Sequence, residues 1–110
     1  MTLDEFRQAL VKALNLHFPR TKVTIATSRG IILTGKAEIN SDTFVTVYFN
    51  TLTGKTSYAL IHCGQRITGY DNYKFWHHHP LGAVEQHIPC TKPTPESALA
   101  TLAATCAELL

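Results

Sequence analysis

Apolar side chains recur at helical spacing from the start of the chain, at Leu3, Phe6, Leu10, Ala13 and Leu14, while Arg7, Gln8 and Lys12 fall on the water side. Thr2-Leu3-Asp4-Glu5 has the form of a capping box, in which the Thr2 hydroxyl accepts the Glu5 backbone N–H and the Glu5 carboxylate accepts the Thr2 N–H. Phe18-Pro19 closes this first helix, because a residue before proline resists the α region. The period then drops to two. Val23 to Thr27 is β-branched and short, and Ser28-Arg29-Gly30 is a turn. Ile31, Leu33, Ala37 and Ile39 then alternate with Ile32, Thr34, Lys36 and Glu38. After the Asn40-Ser41-Asp42 turn, Val45, Val47 and Phe49 face opposite to Phe44, Thr46 and Tyr48. Thr51 to Lys55 is a hairpin loop with Gly54 as its flexible residue, Ser57 to Cys63 a fourth strand, Gly64-Gln65 a turn, and Arg66 to Tyr70 a fifth strand. Connections this short join only antiparallel neighbours.

A proline-punctuated stretch, Cys90 to Ser97, leads into the last helix: Thr94 caps it, Pro95 suits the first helical position and Glu96 complements the dipole. Leu99, Leu102, Ala103, Cys106 and Leu109 or Leu110 form its apolar stripe. The pattern predicts one α+β domain over residues 1–110: a five-stranded antiparallel meander sheet with an N-terminal and a C-terminal helix packed on one face.

A chain of 110 residues with 45% hydrophobic and 16% charged side chains has the size and composition of a single folded domain. Its formal net charge of +2 permits a nucleic-acid partner without demanding one. No apolar run approaches the roughly 18 residues of a membrane span, and no signal peptide is evident, so no membrane partner is expected. Cys63, Cys90 and Cys106 are odd in number and form no Cys-x-x-Cys pair, which favours reduced thiols in a cytoplasm; Cys63 and Cys106 read as core residues. A low-charge surface with open strand edges permits a homodimer through a sheet edge.

Candidate chemistry gathers between Tyr70 and Cys90, which holds four of the six histidines. In an extended segment His77 and His79 point the same way, and Pro80-Leu81-Gly82 turns the chain so that His87 returns to them. The central His78 reads as a solvent-facing or hydrogen-bonded loop residue. Asp71 either shapes an Asx-turn or orients an imidazole, and the two roles are compatible. Arg66 suits a phosphate because guanidinium donates two parallel hydrogen bonds. Tyr70, Asn72, Tyr73, Lys74 and Trp76 are candidates for substrate binding; aromatic faces stack unpaired bases, although Phe75 and Trp76 can equally close the core. Arg29, Lys36 and Lys55 are the other basic residues nearest this surface.

Three stretches, Arg66 to Asn72, Trp76-His77-His78-His79-Pro80-Leu81-Gly82, and Glu85-Gln86-His87-Ile88-Pro89-Cys90, together with the preceding Thr53 to Ile61 hairpin and the capped last helix, resemble the TumE family of toxin components from prokaryotic toxin–antitoxin pairs. The resemblance covers about the second half of the chain. It implies a small cytoplasmic protein encoded beside a DNA-binding antitoxin that masks it, with Arg66, Tyr70, Asp71, Asn72, His77, His79 and His87 in a shared site. The expectation is a toxin acting on RNA as a metal-independent endoribonuclease with no cofactor. His79 or His77 takes the 2′-hydroxyl proton, His87 protonates the leaving oxygen, Asp71 orients one of them and Arg66 holds the phosphate. Two rivals use the same segment: a non-enzymatic surface that engages an antitoxin or other protein, and a zinc protein with His77, His79, His87 and Cys90 as ligands. Cys90 beside His87 is also a candidate nucleophile, though nothing in the sequence lowers its thiol pKa.

Overall fold

A computed structural model describes residues 1–109. Helix α1 spans Leu3–His17, strands β1 to β5 span Lys22–Ser28, Ile32–Glu38, Thr43–Asn50, Thr56–His62 and Gln65–Asp71, β6 and β7 are His77–His79 and Ile88–Pro89, and α2 is Pro95–Leu109. The fold is α+β, and every strand pairs antiparallel with its neighbour in sequence, in the order β1 to β7. The sheet therefore has seven strands rather than five. The two additional strands lie in the histidine segment, where three consecutive polar residues and an isolated Ile-Pro offer no apolar alternation to read.

Both capping predictions hold. Thr2 and Glu5 exchange their hydrogen bonds at 2.8 and 3.1 Å, and Thr94 and Ser97 do the same at 2.9 and 3.0 Å. The C-terminus of α1 meets the N-terminus of α2 through His17 and Glu96, 3.1 Å apart. The two helices cover one face of the sheet. Phe6, Leu10, Ala13 and Leu14 of α1 and Ala98, Leu99, Leu102 and Cys106 of α2 are buried with Leu33, Val45, Val47, Phe49, Tyr58 and Leu60. Phe6 and Phe49 stack with centroids 4.2 Å apart. Gly35 lets α1 approach, since a Cβ there would stand 3.1 Å from Leu10 Cδ2.

Three smaller expectations change. Cys63 is exposed rather than in the core: the turn after β4 is Cys63-Gly64, one residue earlier than predicted, with φ of 51° and 78°, and Gln65 already belongs to β5. Such a two-residue turn needs positive φ at both positions because that twist matches the flanking strands. The apolar stripe of α2 ends at Cys106: Leu109 is exposed and Leu110 lies outside the described residues. Phe75, weighed as a core residue, is also exposed.

Candidate functional site

Strand parity assigns each side chain of the histidine segment to a face. Asp71 is opposite His77, and Gly69 opposite His79, on the face without helices; Tyr70 is opposite His78 on the helix-covered face. Thr68 Oγ1 donates to the His79 carbonyl at 2.7 Å and fastens β6 to β5. The turns after β6 bring His87 back, so that its ring stacks on His77 at 4.6 Å and meets His79 edge-on at 4.8 Å. Ligand atoms of His77, His79 and His87 all lie within 4.8 Å of one another.

The carboxylate of Asp71 sits between the first two imidazoles. Its Oδ1 is 2.9 Å from His77 Nε2 and its Oδ2 is 2.8 Å from His79 Nε2. Oδ1 also accepts the Tyr73 N–H at 3.0 Å, so Asp71 shapes its Asx-turn and faces the imidazoles at once. Burial alone would raise the Asp71 carboxyl; the Tyr73 N–H, the His79 hydrogen bond and the charges of His77 and His79 outweigh it, and it sits below the ordinary carboxylate value.

The other nitrogen of each ring is anchored by the backbone. His77 Nδ1 is 2.8 Å from the Phe75 carbonyl and His79 Nδ1 is 2.7 Å from the Val84 carbonyl. A carbonyl oxygen only accepts, so each Nδ1 carries the proton and donates, and in the neutral ring each Nε2 is left with a lone pair. His79 Nε2 faces Asp71 Oδ2 at hydrogen-bonding distance, which in a ring already donating from Nδ1 takes a second proton. For His77 the conflict is plain: its Nε2 is buried and close to Oδ1, yet the direction is wrong for an N–H···O bond and the atom has no hydrogen-bond partner.

Either a second proton on each ring or a shared cation resolves this arrangement. Two imidazolium rings 4.8 Å apart repel by roughly 3 kcal/mol at an effective dielectric near 20, while the Asp71 carboxylate 2.8–2.9 Å away attracts each of them more strongly than that. Arg66 adds a third positive charge, with Nη1 3.8 Å from Asp71 Oδ2 and Nη2 3.5 Å from His79 Nδ1. One divalent ion held by the three rings would give the unpartnered His77 Nε2 a partner, with Asp71, whose oxygens stand 2.8–2.9 Å from the ring nitrogens, drawing back to join it. A ligand histidine whose far N–H donates to a backbone carbonyl is also the usual way a metal-binding ring is held. His77 and His79 are 1% and 2% exposed, whereas His87 faces solvent and Arg66 is 43% exposed, so the centre opens on one side.

The predicted site residues divide accordingly. His77, His79, His87, Asp71 and Arg66 come together. Tyr73 and Lys74 are exposed just after Asp71, with the Lys74 ammonium 5.6 Å from the Tyr73 ring. Tyr70, Asn72 and Trp76 lie elsewhere. Tyr70 leans against His78, the rings tilted by 33° with centroids 4.7 Å apart, and packs with Trp76 against the core, while the Asn72 amide group pins the β3–β4 hairpin by accepting from Thr56 N and donating to Gly54 O. His78 lies in β6 rather than a loop, and it is hydrogen-bonded rather than solvent-facing, its Nε2 3.3 Å from Thr68 Oγ1; burial, then the neighbouring His79, pushes its pKa down. Cys90 is outside the three-histidine group, and burial pushes its thiol pKa up, which disfavours a thiolate nucleophile. Sequence reasoning missed the carbonyls of Phe75 and Val84, because backbone acceptors leave no signature in residue type.

No family model, curated protein or solved structure matches this chain. Among the described residues, no helix is long and apolar enough to cross a membrane.

Proposed function

We propose that Asp71, His77, His79 and His87 hold one divalent cation, and that this centre cleaves phosphodiester bonds in RNA, the chain being the toxin of a pair whose DNA-binding antitoxin masks it. The observation that supports the metal is the group of three imidazoles with ligand atoms within 4.8 Å of one another, two of them anchored at Nδ1 by backbone carbonyls and one of these, His77, with a buried Nε2 that has no hydrogen-bond partner. Three nitrogens and one oxygen suit zinc, iron or nickel better than magnesium or calcium.

A bound ion of this kind brings the pKa of water toward neutrality and polarises a phosphoryl oxygen. Arg66, exposed at the rim and within 4 Å of both Asp71 and His79, is placed to hold a non-bridging phosphate oxygen. His87, the exposed ring of the three, would stand on the open side of the ion, where substrate enters. The metal-free mechanism asks two imidazoles to stand on opposite sides of one phosphate, whereas here the rings touch at 4.6–4.8 Å and leave no room between them.

The test uses untagged protein dialysed against metal-free buffer. About one equivalent of metal is expected, with His79→Ala and Asp71→Asn falling below roughly a tenth. Chelation should abolish cleavage of a ribo-oligonucleotide, and added zinc or manganese should restore it. Rapid cleavage by protein free of metal would return the imidazoles to proton transfer; neither metal nor cleavage would leave a binding surface.

A further inference from the structure

We infer that the helix-free face of the sheet is a platform for single-stranded RNA, leading from β1–β3 across to the histidine centre. This inference rests on the proposed cleavage reaction and names its substrate class.

The cross-strand registers line up the parts. One row on this face runs His77, Asp71, Ser57, Tyr48, Thr34; another runs Arg66, Ile61, Phe44, Glu38. Tyr48 stands two strands from Asp71, roughly 10 Å at the usual strand spacing, a step that adjacent nucleotides span. Between them Ser57, Ala59 and Gly69 carry small side chains or none, so the floor of the path is low. Beyond Tyr48 the sheet holds a shallow hollow of about 540 Å³, with Thr24, Thr34, Lys36, Thr46 and Tyr48 in its lining.

The side chains match a nucleic-acid strand. Lys36 Nζ lies over the Phe44 ring, 4.3 Å from its centre, and Lys55 Nζ over that of Tyr48 at 5.6 Å; a base that stacks displaces the ammonium from the ring face, and the flexible lysine is then at hand for the phosphate of the same nucleotide. Lys22, Lys36, Lys55 and Arg66 outnumber the carboxylates Glu38 and Asp71, the latter being engaged in the centre. A protein partner held by the hydrophobic effect finds less here: Phe44, Tyr48 and Ile61 are only half-exposed, and threonines lie between them. Duplex RNA is rigid and keeps its bases stacked on each other, away from Tyr48.

A fluorescent oligouridylate of about twelve nucleotides, followed by anisotropy in the presence of chelator, tests binding apart from cleavage. Tyr48→Ala should weaken binding about tenfold or more, and Tyr48→Phe, which keeps the ring, about twofold or less. Lys36→Ala should weaken binding and reduce its salt dependence. A duplex of equal length should bind more weakly than the single strand. The platform is overturned by an absence of binding up to about 100 μM at low salt, by duplex binding as tight as the single strand, or by Tyr48→Ala binding like wild type. It is equally overturned if Tyr48→Phe is as damaging as Tyr48→Ala, or if the chain alone forms a dimer that Tyr48→Ala dissociates. If the oligonucleotide binds as described but no metal supports cleavage, the platform stands and the catalytic proposal falls. If RNA is cleaved but both Tyr48 variants bind and cleave as wild type, the reverse holds.

Discussion

The two faces of this sheet bury their side chains for opposite reasons. On the helix-covered face, Leu33, Val45 and Leu60 are fully buried among other apolar groups, and removal from water is the whole of their contribution. On the open face, His77 and His79 are as deeply buried, yet each brings a polar ring that needs partners at both nitrogens. The first kind of burial is complete once the helices dock. The second is complete only when a proton or a cation enters, so the open face stores a demand for positive charge where the other stores stability.

Leu60→Ala should separate the two most sharply. Leu60 is fully buried between α2 and the sheet, so its truncation removes apolar contact and leaves a cavity, at a cost of about 2–5 kcal/mol. Metal bound per folded molecule should not change, because Leu60 points away from the histidines. Urea unfolding with and without chelator checks both halves, and a variant that loses its metal while still folded would show that the faces are coupled.

A pair of glycines gives a finer comparison. A Cβ at Gly69 would run into the backbone of β4 at the Tyr58 carbonyl and Ala59 Cα, whereas a Cβ at Gly35 meets side chains alone, the end of Leu10 at 3.1 Å and Val47 Cβ at 3.7 Å. Gly69→Ala must push β5 away from β4, at a cost of about 1–3 kcal/mol, and Gly35→Ala should cost less. Asp71 is two residues beyond Gly69 on the same strand face, so metal affinity should fall in Gly69→Ala and hold in Gly35→Ala. Zinc titration of the two variants beside their urea curves reads this directly; equal affinities would mean that Asp71 tolerates the shift.

The legible and illegible parts of the chain follow the same division. The helices, their caps and β2 to β4 show in the sequence because apolar period and solvent face agree at nearly every position, whereas β1, exposed along almost its whole length, shows through its β-branched residues. The meeting of His77, His79 and His87 was legible too, from alternation and the turn at Pro80. Alternation also misleads where it is ignored: Tyr70 and Trp76 are one residue from Asp71 and His77, and that single step sends them to the other face. Arg66 reaches the centre through an irregularity. The register shifts between Leu60 and Ile61, so that Ile61 rather than His62 stands opposite Arg66, and without this bulge the guanidinium would face the helices. Nothing in residue type marks that bulge. β6 escaped detection because its burial is polar, and a polar strand covered by a loop has no hydrophobic signal.

The smallest expected effect concerns a carboxylate on the helix-covered side. The Thr2 backbone N–H, and then its hydroxyl, hold the Glu5 carboxyl below its ordinary value of 4.5. The folded state therefore binds this proton more weakly than the unfolded chain does. Its stabilisation is fully present above the ordinary value and is lost as pH falls through the lower, folded one. Glu5→Ala should be less stable than wild type at neutral pH, and the gap should narrow steadily on acidification. The cap lies at the start of α1 and shares no partner with Asp71 or the histidines, so added zinc should leave the gap unchanged at each pH where both proteins remain folded. Urea midpoints across the acid range, with and without zinc, measure it. A gap that closes on adding metal would mean that α1 and the histidine edge respond as one unit, and the contrast between the two faces would then describe side chains rather than independent sources of stability.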